Sequence, residues 1–134
     1  MKYIEKIDWD NKKSEKNKSK LIGVFARINY SFNDRYLASV SIPVDEELDL
    51  KKVAKASKDK KVEMIHMKEL LPLTGYMRGG CSPIGMKKKF PTYIEETAQI
   101  FDKISISAGQ RGVQVILNPE ELAKYVDAQF VALI

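Results

Sequence analysis

The chain has 134 residues, 44% hydrophobic and 31% charged, and its 23 basic and 18 acidic side chains leave a net charge of +5. That length predicts one domain with its own hydrophobic core, and no stretch nears the roughly 18 apolar residues of a membrane span. Cys81 and His66 are the only residues of their types, which excludes an internal disulfide and a Cys/His zinc site, so no metal, no cofactor and no membrane are expected.

Residues 1–20 carry seven lysines against four acids, so the basic excess is in part a property of the start of the chain. It has no apolar run of the secretory type, and a cytoplasmic location is the expectation. Trp9 and the early Ile and Tyr residues suggest a short strand, and the polar, unperiodic run after them reads as a loop or disordered link. Residues 1–20 are therefore assigned to a variable tail and residues 21–134 to the domain. Residues 21–30 are apolar and β-prone and residues 36–42 alternate, so these read as neighbouring strands. Their turn is at residues 31–34, and Pro43 closes the second strand.

Asp49 is placed to N-cap a helix over residues 50–57, in which Leu50, Val53 and Ala54 share a face. A short strand at 62–65 and a short helix at 67–73 follow, the helix irregular at Pro72 and ended by Gly75. Pro91 precedes a strand start at Tyr93 and Ile94, and residues 95–101 read as one or two helical turns. Residues 103–107 and 113–117 are strands joined by a glycine-bearing turn. Asn118, Pro119 and the acidic pair Glu120 and Glu121 mark a helix start. Residues 129–134 read as a closing strand. These elements predict a mixed α/β fold whose β-sheet is curled toward a barrel, with short helices around it.

Within residues 73–85, LTGYMRGGCSPIG, glycines, a proline and the single cysteine are concentrated. Gly79 and Gly80 can take positive φ and Pro83 fixes the exit. The N–H groups of Gly80, Cys81 and Ser82 can then converge on one concavity suited to a carbonyl oxygen or a phosphate. The same composition also fits a plain glycine-rich connection. Cys81 reads either as a packing residue or as a nucleophile. Arg111, between two glycines, reads either as a phosphate contact or as a solvated turn residue. Lys87, Lys88 and Lys89, with Arg78 and Lys103, form either a basic rim for RNA or a solvated face. His66 lies in a charged context and reads as a surface residue.

The runs IPVDEELDLKKVAKASKDKKVEM, LTGYMRGGCSPIGMKKKFPTYIEE and ISISAGQRGVQVILNPEELAKYVDA resemble the YbaK/EbsC family. Its members are free-standing aminoacyl-tRNA editing proteins related to the editing domain of bacterial prolyl-tRNA synthetase, and the resemblance spans residues 36–134. It implies the editing-domain type of curled mixed sheet and a pocket for the aminoacyl end of tRNA. One wall of that pocket is the GxxxP loop, here Gly79, Gly80, Cys81, Ser82 and Pro83, with the catalytic part assigned to backbone donors of Gly79, Gly80, Cys81 and Ser82. A second segment maps onto Ser107, Ala108, Gly109, Arg111 and Gly112, with Gln114 where some members carry an acid.

The implied activity is deacylation of mischarged tRNA, cysteine from tRNA(Pro), with the nucleophile supplied by the substrate's own thiol or a ribose hydroxyl. The implied partners are the acceptor end of aminoacyl-tRNA and prolyl-tRNA synthetase. The family has a lysine where this chain has Ala26. The matching segment, residues 24–28, is expected to turn Ala26 toward the pocket and Arg27 to the opposite face, since strand side chains alternate. The start of the chain has no counterpart in the family, which fits a diverged paralogue or a replaced or truncated start. The alternative function is a degenerate, weakly catalytic member that binds tRNA or a synthetase; a third is a binder of small nucleotides or amino acids.

Overall fold

The computed structural model describes residues 3–6, 18–28, 37–77, 79–86 and 90–134. In chain order these form β1 (Tyr3–Lys6), β2 (Lys18–Ile28), β3 (Leu37–Pro43), α1 (Leu50–Ser57), β4 (Val62–Met64), α2 (Met67–Thr74), β5 (Thr92–Glu95), a 3₁₀ turn (Glu96–Ile100), β6 (Lys103–Ser107), β7 (Val113–Leu117), α3 (Pro119–Val126) and β8 (Gln129–Val131). Trp9, Tyr36, the turn at 31–34, Arg78 and Lys87, Lys88 and Lys89 lie outside the described residues.

The strands form one mixed sheet in the order β1-β7-β6-β2-β3-β5-β8, with β4 also on β2. Strand β2 organises it. One edge pairs antiparallel with β3 from Leu21 to Arg27. The other edge pairs parallel with β6 through Lys18, Ser19 and Lys20, and antiparallel with β4 through Ala26, Arg27 and Ile28. Between these two partners a stretch of that edge faces a cavity.

Both faces of β2 are covered. Ala26 and Ile28 pack with Ala38, Val40 and Val53. On the other face Leu21 joins Ile104, Ile106 and Leu117, and Phe25 joins Leu37, Leu70, Cys81 and Phe90. The Phe25 and Phe90 rings meet edge to face, centroids 5.9 Å apart.

Local chemistry sets the helix starts. The Asp49 carboxylate accepts from the Lys51 N–H at 2.9 Å and the Lys52 N–H at 3.4 Å. Asn118 accepts from Glu120 and Glu121 at 2.9 and 3.2 Å, with Pro119 at the first helical position. Both caps satisfy amides that have no partner inside the helix. Helix α2 ends at Gly75 in the left-handed region (φ 80°) and accommodates Pro72.

Two boundaries differ by about three residues from the sequence expectation. The strand expected to open at residue 21 begins at Lys18, and β1 pairs with β7, so the described part of residues 1–20 belongs to the same sheet. Main-chain pairing with β6, which polarity does not reveal, holds Lys18, Ser19 and Lys20. At the other end β8 stops at Val131, because the Leu133 N–H turns to the buried Glu95 carboxylate at 2.8 Å instead of to a strand.

Candidate active site

The GxxxP loop is a compact wall. Gly79 takes φ +84°, and the Gly80 N–H donates to the Met77 carbonyl at 2.9 Å. Ser82 is buried, and its Oγ accepts from the Ile84 N–H at 3.1 Å. The expected donor role of Gly80 is thus corrected, since its amide closes the turn. The Cys81 and Ser82 amides make no hydrogen bond to another described residue.

The Ser107–Gly112 stretch is the turn between β6 and β7. Gly109 and Gly112 take positive φ, and the Ser107 Oγ accepts from the Gly109 N–H at 3.1 Å. The Ala108 N–H donates to the Val113 carbonyl at 2.9 Å. This turn packs directly on the GxxxP loop. A Cβ at Gly80 would lie 3.2 Å from the Arg111 nitrogen, and one at Gly79 would lie 3.6 Å from the Arg111 side chain. Tyr76 braces both loops: its ring would stand 3.1 Å from a Cβ at Gly109, and its hydroxyl donates to the Ile84 carbonyl. Glycine at these positions lets three backbone segments approach closely.

A cavity of about 380 Å³ opens on one flank of the wall. It is lined by residues 22–25 of β2, by Met64, Ile65, Met67 and Leu70, and by Gly79 and Cys81. Met64 and Met67 are exposed at its mouth. On the other flank, Pro83, Ile84, Gly85 and Met86 face a second cavity of about 380 Å³ with the end of α3. Among the described residues the first cavity has one ionisable lining side chain, Cys81. Burial pushes its thiol up to about 11, so it is protonated at neutral pH, and its Sγ lies 3.7 Å from the Met77 carbonyl.

Of the residues singled out by sequence, Gly79 and Cys81 line the first cavity and Pro83 the second. Gly80 and Ser82 are buried within the wall. Ser107, Ala108, Gly109, Arg111 and Gly112 buttress the wall from behind and line neither cavity. Gln114 is fully buried in β7, where its Oε1 accepts from the Ser105 Oγ at 3.2 Å. Its Nε2 has no partner among the described residues. His66 is exposed at the start of α2.

The expected facing of Ala26 is reversed. Ala26 is fully buried in the cluster with Ile28, Ala38 and Val53. Arg27, on the other face, pairs with Glu69 of α2, the helix that supplies Met67 and Leu70 to the cavity. Sequence reasoning also missed Gly23, Leu70 and Tyr76. An isolated glycine within a strand pattern is a sign of close backbone approach, and Gly23 was the available signal.

The family model for the aminoacyl-tRNA editing domain matches residues 24–125. The chain belongs to the aminoacyl-tRNA editing domain family. An Enterococcus faecalis protein named as a Cys-tRNA(Pro)/Cys-tRNA(Cys) deacylase, EbsC, is 60% identical to this editing domain over 89 residues, which make up 66% of the chain and 54% of the relative. The chain thus spans about half the length of that relative. A solved structure described as a trans-editing enzyme for prolyl-tRNA synthetase superposes with a TM-score of 0.82 at 16% identity, covering 97% of this chain and 84% of that one. A scaffold protein from epitope backbone grafting gives 0.80 at 16% identity, over 97% and 83%. At that identity the two structures establish the editing-domain fold.

Proposed function

We propose that the chain is a trans-editing aminoacyl-tRNA deacylase that removes a mischarged amino acid, cysteine from tRNA(Pro), by substrate-assisted ester cleavage. The observation that carries this reading is the composition of the first cavity. Its lining combines apolar side chains with the main chain of the GxxxP loop, and the one ionisable group among its described residues is held as a neutral thiol. Among the described residues the lining offers no general base. It suits a reaction whose nucleophile comes from the substrate, through the thiol of the cysteinyl group or the neighbouring ribose hydroxyl.

Negative charge then develops on the ester carbonyl oxygen. The amide of Cys81, which lines the cavity, is the loop donor left to meet it, since the Ser82 N–H points away from the Cys81 carbonyl across a trans peptide. One well-placed donor contributes a factor of about 10²–10³. The remainder is positioning. The partner is the acceptor end of an aminoacyl-tRNA in the cytoplasm, with Arg111 on the exposed side of the buttressing turn available to phosphate. Association with prolyl-tRNA synthetase belongs to the same proposal, as does assignment of residues 21–134 to the editing unit.

The test is single-turnover deacylation of Cys-tRNA(Pro), Ala-tRNA(Pro) and Pro-tRNA(Pro). Cleavage of Cys-tRNA(Pro) well above the buffer rate, with Pro-tRNA(Pro) spared, is expected. Binding of all three without cleavage would replace the enzyme by a non-catalytic tRNA binder.

A further inference from the structure

The cavity wall contributed by β2 is a strand edge without a pairing partner among the described residues, and its parity is fixed by two hydrogen bonds. In an antiparallel ladder, alternate residues direct both main-chain groups toward the partner strand. The Lys20 carbonyl accepts from the Val44 N–H at 3.0 Å, so even-numbered residues of β2 address the β3 side. The Phe25 carbonyl accepts from the Ile65 N–H at 3.3 Å, so odd-numbered residues address the other side. Gly23 lies between them. Its N–H and C=O, with the N–H of Phe25, point from β2 into the gap that β6 leaves after Lys20 and β4 leaves before Ala26. Among the described residues no hydrogen bond takes up these three groups, and residues 22–25 line the cavity.

In a parallel ladder one residue bridges two alternate residues of its neighbour. Its N–H donates to the carbonyl of the first, and its carbonyl accepts from the N–H of the second. The Gly23 carbonyl and the Phe25 N–H are such a pair, and the gap continues the line of β6, which runs parallel to β2. We propose that the aminoacyl group of the substrate docks as a one-residue parallel rung on this edge. Its α-ammonium donates to the Gly23 carbonyl, and its ester carbonyl accepts from the Phe25 N–H. This inference rests on the deacylase reading and assigns the amino-acid end of the substrate a binding element outside the GxxxP loop.

The cavity chemistry supports the ammonium half of the rung. An ammonium buried beside apolar side chains needs acceptors, and among the described residues no carboxylate lines this cavity. Main-chain carbonyls are what remains. The Cys81 carbonyl packs over the face of Gly23 beside this edge, 2.7 Å from the position of a Cβ. Main-chain recognition is indifferent to the amino-acid side chain, so discrimination between amino acids falls to Leu70, Ile65 and the two methionines. The free amine, by contrast, is read directly.

The experiment uses the full chain and two non-hydrolysable probes, 3′-deoxy-3′-(cysteinylamino)adenosine and its N-acetyl derivative. Amide hydrogen exchange at Gly23 and Phe25 is followed by NMR, beside the affinity of each probe. The amine probe is expected to slow exchange at Phe25, and N-acetylation to weaken binding about 10- to 100-fold, the size of a lost charge-assisted hydrogen bond. Unchanged exchange at Phe25 with the amine probe bound, equal affinities for the two probes, or no binding of the amine probe would each overturn the rung. Deacylation assayed in parallel separates the two readings. Protection without turnover supports the rung and removes the enzyme reading, whereas turnover without protection does the reverse.

Discussion

The main-chain oxygen of Cys81 lies 2.7 Å from the point that a β-carbon on Gly23 would occupy. Strand and loop therefore touch backbone to backbone, and the absent side chain at Gly23 sets the width of the cavity between them. A methyl group there must push the loop away, since a real Cβ does not come within 3 Å of a carbonyl oxygen. Gly23→Ala is expected to destabilise the fold by about 1–3 kcal/mol, as overpacking does. Deacylation should fall about tenfold or more as the Cys81 amide moves off its mark. Urea unfolding and single-turnover rates on one preparation check both.

Cys81 should behave as a buried thiol. With its pKa pushed up to about 11, its thiolate fraction at neutral pH is about two orders of magnitude below that of a free cysteine. Alkylation by iodoacetamide is expected to be correspondingly slow at pH 7 and to accelerate toward pH 11. Cys81→Ser should keep deacylation within a few-fold of wild type. A loss of several orders of magnitude with the fold intact would make the sulfur the nucleophile.

Glu95 joins the end of the chain to β5. Burial pushes its carboxyl upward, and hydrogen bonds from Thr97, Leu133 and Ile134 outweigh that and hold it below the usual carboxylate range. Two of these are the Thr97 N–H at 2.7 Å and the Leu133 N–H at 2.8 Å. The folded pKa is thus below the unfolded value of about 4.3. The stabilisation is present above that value and is lost as pH falls through the folded pKa. Glu95→Gln should cost about 1–3 kcal/mol at neutral pH and flatten the acid limb of the stability profile, measured by urea titrations from neutral pH downward.

Ala26→Lys should damage this protein. Ala26 is fully enclosed by β2, β3 and α1 side chains. An uncompensated ammonium there is expected to cost about 3–5 kcal/mol, read from the urea midpoint. Deacylation at a temperature where the variant remains folded should not rise.

Much of the fold was legible because its signals are local. Asp49 and the Asn118-Pro119 pair announce their helices within four residues, and Gly75 announces the end of α2. The two loops could be matched to one another through their glycines. The facing of Ala26 and Arg27 was not legible, because both faces of β2 are covered and its side chains carry no alternation to read. Lys18, Ser19 and Lys20 look like a solvated link because their place in the sheet comes from main-chain pairing with residues far along the chain. The cavity was invisible for a similar reason. It exists only where β6 and β4 leave the same edge of β2, and that is a property of register.

The pairing of β1 with β7 has a consequence in time. Tyr3 pairs with Ile116, and about 113 residues of synthesis separate the two. At roughly 5–20 residues per second, the first strand waits on the order of 10 s for its neighbour to be made. Until then an edge with unsatisfied amides and carbonyls is available to any other nascent chain. The long separation of β1 from β7 thus makes protection from premature association a matter of synthesis speed as well as of sequence.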